Sequence, residues 1–434
     1  MSRDWSSVAD LLPSGATTGE HSKGLPRHRW FAVKESFSPQ LVDVAIEHEL
    51  GSDRGLVIDP FCGGGTVPVA AAMDGLDGVG IEVNPFLAFV ADVKLSRASS
   101  DGIRAMLPEV LEGIRRGAAS PLEDYSTFTR ARGREQAGLF NVEVLRAFEG
   151  GWRGTFNGSI EVAKVLRLGL IRAASWNSNA TRDGKALRYR QTRLDAKFSE
   201  KTFEESFSDV MEEMLSDLTV GSDLSGTGRI YRGDCRQRLS GLSREQFDLC
   251  VTSPPYLNSF DYTDVYRPEL FLGKFLGSSE ELRRLRYRTL RSHVQANWQK
   301  PRSEDFGELF RESWTAISGQ SESLWDKRIP LMLQAYFEDM RTVLEKLREL
   351  AKPNACIWLV VSTSAYAGVE VPVDHILGQV GAQVGWRLRE IVVIRSLRSS
   401  GQHWSVVGSS VASSPGLPPL RESLVILDAA RRPR

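Results

Sequence analysis

The chain has 434 residues, of which 41% are hydrophobic, and it carries 55 basic and 55 acidic side chains. That length excludes a single small domain and favours roughly two domains, a catalytic core with additions. No apolar window is long enough to cross a membrane and the first residues lack the apolar core of a signal peptide, so we expect a soluble, cytoplasmic protein with no membrane partner. A net charge of zero argues neither for nor against nucleic acid as a partner.

The amino-terminal part of the chain predicts a ligand-binding turn between two strands. A polar leader comes first, with a helix predicted over residues 39–50. An apolar strand then enters the glycine-rich turn of residues 59–66, and a helix of small residues leads to a second strand that ends at Glu82. Three successive glycines let the backbone approach a ligand closely. An acid at the end of the second strand, about 20 residues beyond the turn, accepts hydrogen bonds from ribose hydroxyls in a doubly wound sheet.

Residues 99–225 lose the alternation of strand and helix, which predicts a helical insertion. The helices expected in it cover residues 103–116, 142–148, 160–174 and 203–218. The sheet then resumes, and a charged segment interrupts it over residues 272–328. The elements expected around that segment are strands over 229–235 and 247–251, a helix over 331–351 closed by Lys352-Pro353-Asn354, a strand over 355–362, a helix over 373–380, and a strand pair over 386–395 and 422–428. The polar residues 396–420 predict a mobile loop.

The second strand of the resumed sheet runs directly into Thr-Ser-Pro-Pro-Tyr at residues 252–256. Two prolines offer no N–H and fix φ, so the strand must end in a rigid, extended turn. The turn presents the hydroxyl of Ser253, the carbonyl of Pro254 and the ring of Tyr256. Acceptors beside a stacking ring suit a flat base that carries an amine. Taken alone, the same residues also fit an ordinary loop terminator.

The cysteines lie in or beside predicted strands and form no Cys-x-x-Cys pair. We therefore expect them to be reduced and buried rather than disulfide-bonded or zinc-binding, and we expect no metal site. They are Cys62, Cys235, Cys250 and Cys356.

The turn Asp-Pro-Phe-Cys-Gly-Gly-Gly-Thr of residues 59–66 resembles the S-adenosylmethionine (AdoMet) loop of DNA amino-methyltransferases. In that family the loop pairs with Ser-Pro-Pro-Tyr or Asp-Pro-Pro-Tyr as the catalytic motif, and this chain has both halves. The Gly-x-Gly-x-x-Gly turn of dinucleotide sites is absent, as is the Gly-Lys-Ser/Thr of triphosphate sites. The resemblance implies an α/β fold, a Rossmann-like seven-stranded methyltransferase sheet with helical insertions, and AdoMet as the cofactor.

The resemblance also implies the site residues. Those expected to hold the cofactor are Phe37, Asp59, Phe61, Cys62, Gly63, Gly65, Thr66, Glu82 and Asp234. Those expected to act on the base amine are Ser253, Pro254, Pro255 and Tyr256. Candidates for binding the substrate are Asn258, Asp261, Tyr262, Arg288 and Arg291. Plainer roles stay open for some of them: a helix cap around Ser38, a loop acid at Asp234, and core packing for Tyr262 and Tyr266.

The serine form of the catalytic motif is typical of enzymes that methylate N4 of cytosine, and the aspartate form of those acting on N6 of adenine. We therefore favour cytosine N4, with adenine N6 as the nearest alternative. In the expected mechanism, Ser253 and Pro254 accept the two amine hydrogens while Tyr256 stacks on a base flipped out of the duplex. The Pro-Cys pair of cytosine-C5 enzymes is absent. A structured-RNA methyltransferase and a non-catalytic AdoMet-binding subunit of a defence complex are the more distant alternatives.

The expected partner is double-stranded DNA, and the resemblance also allows a cognate restriction nuclease or another defence-system partner. Basic residues concentrate over residues 167–197 and 283–302, the second stretch being mixed with aromatic and amide side chains. The AdoMet loop precedes the catalytic motif, the reverse of many relatives, so their recognition region cannot be transferred. The expected organisation is 1–98 for the AdoMet half of the core, 99–225 and 272–328 for insertions that are candidate DNA-recognition regions, and 226–271 and 329–434 for the rest of the core.

Overall fold

The computed structural model of the protein describes residues 8–52, 54–123, 138–183, 186–190, 197–219, 223–242, 246–303, 305–397 and 420–430. Most of the loop expected over residues 396–420 lies outside these ranges, as do Lys185 and Arg193 of the first basic stretch. Within the described ranges, no helix combines the length and the apolar character needed to span a membrane.

A seven-stranded sheet forms the centre of the protein, as the sequence predicts. The described strands are β1 Leu56–Asp59, β2 Asp77–Glu82, β3 Ala180–Asp183, β4 Ala186–Tyr189, β5 Thr227–Arg232, β6 Phe247–Thr252, β7 Ala351–Ser362, β8 Ser364–Tyr366, β9 Val369–Val371, β10 Trp386–Leu397 and β11 Leu420–Ala429. The strand order in the sheet is β10-β11-β7-β6-β1-β2-β5, and β7, β6, β1, β2 and β5 run parallel while β11 is antiparallel to both of its neighbours. Two hairpins, β3–β4 and β8–β9, lie apart from the sheet.

The described helices flank the sheet and build the insertions. They are α1 Val8–Leu11, α2 Pro39–Glu49, α3 Thr66–Met73, α4 Pro85–Lys94, α5 Ser100–Arg116, α6 Val142–Gly154, α7 Ile160–Trp176, α8 Glu200–Thr219, α9 Cys235–Arg238, α10 Tyr262–Val265, α11 Arg267–Leu272, α12 Ser279–Arg286, α13 Glu308–Ser318, α14 Ile329–Leu350 and α15 Val373–Gln383. Short 3₁₀ turns occur at Gly19–Gly24, His28–Trp30, Leu239–Leu242 and Ser321–Ser323.

Both faces of the sheet are covered, which is why its central strands are almost continuously apolar. On one face, Phe247 and Ile357 of the sheet pack with Tyr336 and Phe337 of α14. On the other face, strand residues pack against α2 and α3, with Trp358 fully buried there. The four cysteines are free and buried. Because β1, β2, β5 and β6 are parallel, their carboxyl ends meet at one edge of the sheet.

Local sequence sets the starts of the two helices nearest that edge. Ser38 accepts a hydrogen bond from the N–H of Gln40 at 3.2 Å, and Asn84 accepts one from the N–H of Phe86 at 3.0 Å. Proline follows each cap, at a position where a missing N–H costs nothing. The cap expected around Ser38 is therefore present.

The helical insertion predicted over residues 99–225 contains α5, α6, α7 and α8, and each covers one of the predicted helical patterns. Helices α5 and α6 pack closely, since a Cβ on Gly113 would lie 2.4 Å from the carbonyl oxygen of Gly150. The hairpin β3–β4 was missed, because its strands have only four residues each.

In the described part of the leader, Trp30 is fully buried, and its indole N–H donates to the buried Asp217 of α8 at 2.9 Å. One expectation about local structure is wrong: residues 351–354 do not close a helix in a turn. They begin β7, with a register irregularity opposite β6 that accommodates Pro353, so the strand starts four residues before the predicted one.

Candidate active site

A cavity of about 490 Å³ opens at the shared carboxyl edge of β1, β2, β5 and β6. Its volume lies in the range of about 300–1,000 Å³ that is usual for small-molecule sites. The predicted residues that line it are Phe37, Asp59, Phe61, Cys62, Gly63, Thr66, Glu82, Asp234, Ser253, Pro254, Pro255, Tyr256, Asn258, Tyr262 and Arg288. The tertiary structure therefore brings the two motifs, nearly two hundred residues apart in sequence, into one chamber.

The glycine-rich turn forms one wall of the cavity. Gly63 has φ of 49° and a Cβ there would meet no atom within 4 Å, so its backbone is open to a ligand. Gly65 has φ of 85° and caps α3, but it does not line the cavity: a Cβ there would lie 2.7 Å from the Cβ of Ala91. Gly65 is thus required for packing of the turn against α4, and its role as a direct ligand residue stays a prediction.

Glu82 holds the turn against the end of β2. One carboxylate oxygen accepts a hydrogen bond from the N–H of Gly63 at 2.9 Å, and the other from the N–H of Asn84 at 2.7 Å. Burial raises the pKa of Glu82 to about 7, and these backbone donors act in the opposite direction. Each oxygen retains a lone pair for a ligand hydroxyl. The side-chain nitrogen of Asn84 beside it is buried and lacks a hydrogen-bond partner among the described residues.

A single hydrogen bond joins the AdoMet-loop motif to the catalytic motif. The hydroxyl of Thr252 donates to Oδ1 of Asp59 at 2.6 Å, and the same oxygen accepts from the N–H of Phe61 at 2.9 Å. Thr252 and Asp59 are each only 2% exposed. Burial raises the pKa of Asp59 to about 7. The two hydrogen-bond donors act to lower this pKa, and the nearby Glu82 acts to raise it. The bond keeps the ends of the adjacent strands β1 and β6 in register.

The turn of residues 252–256, which carries the predicted catalytic motif and which we term the catalytic turn, presents Ser253, Pro254 and Tyr256 to the cavity. The phenol of Tyr256 donates to Oε1 of Glu422 at 2.6 Å. Burial raises the pKa of Tyr256, and the neighbouring Glu422 raises it further, so the phenol stays neutral. Glu422 belongs to β11 and also lines the cavity, together with Arg395 of β10.

Aromatic residues that follow the Ser-Pro-Pro-Tyr turn form another wall of the cavity. Phe260 and Tyr262 meet edge to face with ring centroids 4.4 Å apart. Tyr266 is 1% exposed and belongs to the apolar core, yet it also lines the cavity and donates to Oε2 of Glu35 at 2.7 Å. The carbonyl oxygen of the Asn258 side chain is buried without a hydrogen-bond partner among the described residues.

Two of the substrate candidates do not reach the cavity, because ion pairs hold them elsewhere. Asp261 caps α10 through the N–H of Thr263 at 3.0 Å and pairs with Arg286 at 2.5 Å. Arg291 pairs with both Glu338 and Asp339 of α14, each at 2.7 Å. Both residues support the wall rather than line it.

Asp234 lies in the cavity wall, but its carboxylate is also engaged. It caps α9 by accepting from the N–H of Arg236 at 3.0 Å, and the Arg236 guanidinium binds it at 2.8 Å. Asp234 is therefore a helix-capping acid rather than a plain loop acid, and its role in holding the cofactor stays a prediction.

Several cavity residues carried no signal in the sequence. Glu35 comes from the leader, His293 from the second insertion, and Arg395 and Glu422 from the last strand pair. No local motif marks them. The only usable hint for the leader was the apolar group around Trp30, which indicates a buried segment.

The two basic stretches differ in how their charges are used. In the first, Arg172 pairs with Glu213 at 2.5 Å and Arg182 pairs with the buried Glu269. The second passes the cavity, which Arg288, Thr289, Leu290, Ser292 and His293 line. Arg288 is exposed and forms no ion pair with any residue in the described part of the chain.

Comparison with known proteins gives relatives over nearly the whole chain. No protein-family model matches it. The type II methyltransferase M.AvaI of Nostoc sp. is 26% identical, covering 90% of this chain and 86% of the relative. M.BsoBI, a type II methyltransferase of Geobacillus stearothermophilus, is 25% identical, covering 86% and 81%. An rRNA methyltransferase structure, aviRa from Streptomyces viridochromogenes, aligns over 99% of this chain and 94% of its own at 11% identity and a TM-score of 0.31, too weak a likeness to support an argument.

The fold, the two motifs in one cavity and these relatives all indicate an AdoMet-dependent methyltransferase. The prediction of AdoMet as cofactor is confirmed by the methyltransferase relatives. Both motifs lie in one cavity, and over most of its length the chain is similar to type II methyltransferases, in keeping with its resemblance to the AdoMet-dependent DNA amino-methyltransferases.

Proposed function

We propose that the protein transfers a methyl group from AdoMet to the N4 amine of cytosine in double-stranded DNA. The observation that carries this proposal is Ser253 in the catalytic turn, in the same cavity as Glu82 and the glycine-rich loop. The type II methyltransferase relatives support DNA as the substrate class. A cognate nuclease partner stays a prediction.

The part of the cavity formed by the glycine-rich turn, Glu82 and Asn84, which we term the cofactor wall, has donors and acceptors that fit AdoMet. The remaining lone pairs of Glu82 suit ribose hydroxyls, and the unpartnered side-chain nitrogen of Asn84 suits an acceptor on the ligand. The open backbone of Gly63 permits close approach of the ligand chain. When bound, AdoMet supplies an electrophilic methyl group on a sulfonium.

The residues of the catalytic turn are suited to an exocyclic amine. Such an amine is a weak nucleophile, because its lone pair is delocalised into the ring. The Ser253 hydroxyl and the Pro254 carbonyl are assigned as acceptors of its two hydrogens, which favours tetrahedral nitrogen. The ring of Tyr256 is assigned to stack on the base, and fixed alignment of the two reactants supplies much of the rate.

The aromatic wall supports a pocket for a flipped base. Removing a base from the duplex costs a few kcal/mol, which stacking partly returns. The unpartnered side-chain oxygen of Asn258 is an acceptor for a base edge, and Tyr262 offers a second ring. Asp261 and Arg291 are assigned to hold this wall in place through their ion pairs.

Of the two insertions, we favour the second as the surface that meets DNA. Arg288, Thr289, Leu290, Ser292 and His293 line part of the cavity, and the exposed Arg288 forms no ion pair within the described residues. An exposed arginine without a carboxylate partner is available to bind a DNA phosphate. In the first insertion, Arg172 and Arg182 already have carboxylate partners.

The test is to incubate unmethylated duplex DNA with the protein and labelled AdoMet, digest the product and separate its nucleosides by mass spectrometry. N4-methylcytosine is the expected product, and N6-methyladenine as sole product would overturn the choice of base. A parallel incubation with total RNA distinguishes the RNA alternative. Tyr256→Ala is the matched control: it should abolish transfer while the Kd for AdoMet stays nearly unchanged, and a wild-type protein that methylates neither substrate would contradict the proposal.

A further inference from the structure

A chain of two hydrogen bonds links the catalytic tyrosine to the opposite half of the sheet. Tyr256 donates its phenolic proton to Oε1 of Glu422 at 2.6 Å, and Oε2 of Glu422 accepts from Nε of Arg395 at 2.6 Å. All three side chains line the cavity. No other described donor is bonded to this carboxylate, so both of its oxygens are committed to the chain.

The burial of Glu422 excludes the role of a surface charge that only contacts water. Glu422 is 1% exposed and is the third residue of β11, whose following residues Ser423, Leu424 and Val425 are fully buried. A buried carboxylate is expensive unless it is paired and hydrogen-bonded. The strand pairing sets Glu422 opposite Arg395 of β10 and Ser362 of β7, so the guanidinium that compensates the charge comes from the neighbouring strand.

Arg421, the residue before Glu422, shows that the two faces of β11 carry different ion pairs. Arg421 points away from the catalytic turn, with its guanidinium bound to Glu370 and Asp374 at 2.8 Å each. Successive strand residues alternate between faces, so Glu422 is directed to the cavity side. β11 therefore delivers one buried carboxylate to Tyr256, across the intervening strand β7.

Anchoring the phenol oxygen restricts the ring. The two prolines before Tyr256 fix their own φ angles and so stiffen the turn that carries it, while the side-chain torsions of Tyr256 remain free to rotate unless its phenol is anchored. A short hydrogen bond to an ionised acceptor, aimed along the phenol, fixes the plane in which the ring can meet a base. Small errors in such alignment are costly, since a displacement of about 1 Å can lower a rate on the order of 100-fold.

We propose that Glu422 is a positioning residue for methyl transfer: it holds the Tyr256 ring in the orientation that receives the flipped base, and Arg395 holds Glu422. This inference rests on the proposed function, in which Tyr256 stacks on the substrate base. It adds two residues from the last strand pair to the site.

The test is a double-mutant cycle between Tyr256→Phe, which removes the donor and keeps the ring, and Glu422→Ala, which removes the acceptor. Each single variant should lower kcat on the order of 10–100-fold. The double variant should lose no more than the poorer single variant, because either change breaks the same bond. The Kd for AdoMet should stay within about twofold of the wild type. Glu422→Gln keeps an acceptor oxygen and should recover part of the activity. If Glu422→Ala does not fold, Glu422→Leu, which also removes the acceptor but fills the buried space, takes its place in the cycle.

Asp428→Ala provides a matched control on the same strand. Asp428 also pairs with arginines of β10, at 2.5 Å from Arg387 and from Arg389, but it lies at the far end of β11 and does not line the cavity. This variant should leave kcat unchanged. Additive losses in the cycle, or an equal loss in Asp428→Ala, would overturn the inference while the proposed function stands. A wild-type protein that methylates neither DNA nor RNA would overturn the proposed function and the inference together.

Discussion

Replacing Thr252 by valine tests the hydrogen bond that joins the two motifs. Valine keeps the shape of threonine but cannot donate to Asp59, whose Oδ1 lies 2.6 Å from the threonine hydroxyl. The carboxylate would retain only the N–H of Phe61 as a donor on that oxygen. Since both side chains are 2% exposed, water cannot readily replace the lost donor.

The expected loss of stability depends on pH, and its sign follows from the pKa of Asp59. Burial raises that pKa to about 7 in the folded protein, so the carboxyl group favours the native state below its ordinary pKa and loses this contribution as the pH rises through about 7. The Thr252 hydroxyl opposes the shift by binding the ionised form. Its removal raises the pKa of Asp59 further, which makes the variant weakest relative to wild type above pH 7.

The magnitude follows from the charge on the acceptor. A hydrogen bond to a charged group contributes about 1.5–3 kcal/mol and a neutral one about 0.5–1.5 kcal/mol. The unfolding entropy of about 2.1 cal/mol/K per residue then converts the loss at pH 8 into a fall in Tm of roughly 2–3 °C for a chain this long, with a smaller fall at pH 5.5.

Differential scanning calorimetry at both pH values measures this difference, with Thr252→Ser as the matched control because serine keeps the donor. Thr252→Ser should stay close to wild type at either pH. Equal destabilisation of Thr252→Val at pH 5.5 and pH 8, or a serine variant as weak as the valine one, would refute the argument that the hydroxyl stabilises an ionised Asp59.

Two further predictions concern the cofactor wall and the DNA surface. Glu82→Ala should weaken AdoMet binding by about 1–3 kcal/mol in isothermal titration calorimetry. The affinity of the wild type for AdoMet should rise about tenfold from pH 6 to pH 8, because a carboxyl group with a pKa of about 7 must ionise to accept the ribose hydroxyls. An affinity independent of pH and of Glu82 would remove this residue from the site. Arg288→Ala should weaken binding to a DNA duplex, measured by fluorescence anisotropy, and reduce the slope of log affinity against log salt concentration by about one, while Tm is unchanged. Arg291→Ala should instead lower Tm in calorimetry, because it leaves the carboxylate of Asp339 without this partner. The reverse pattern would contradict the choice of DNA surface.

The cofactor wall and the catalytic turn could be predicted because their signals are local. A strand followed by Asp59 and three glycines, and a strand followed by Ser253 and two prolines, each contain the residues that shape their own backbone. Parallel strands share a carboxyl edge, so the prediction of a sheet already implied that the two turns meet. The seven strands of the sheet and the helices of the insertion agree with the predicted fold.

The tertiary structure alone decided which charged side chains reach the cavity. Arg288 and Arg291 are close neighbours in a basic stretch, yet Arg291 is held by Asp339, 48 residues farther along the chain, and Arg288 is not. Glu422 meets Tyr256 across 166 residues. An ion pair or hydrogen bond of this kind depends on which distant elements pack together, and a single sequence carries no local pattern for it. The sequence by itself therefore determined the two motif turns that meet in the cavity, and the packing of the last strand pair and the second insertion determined which other residues line it.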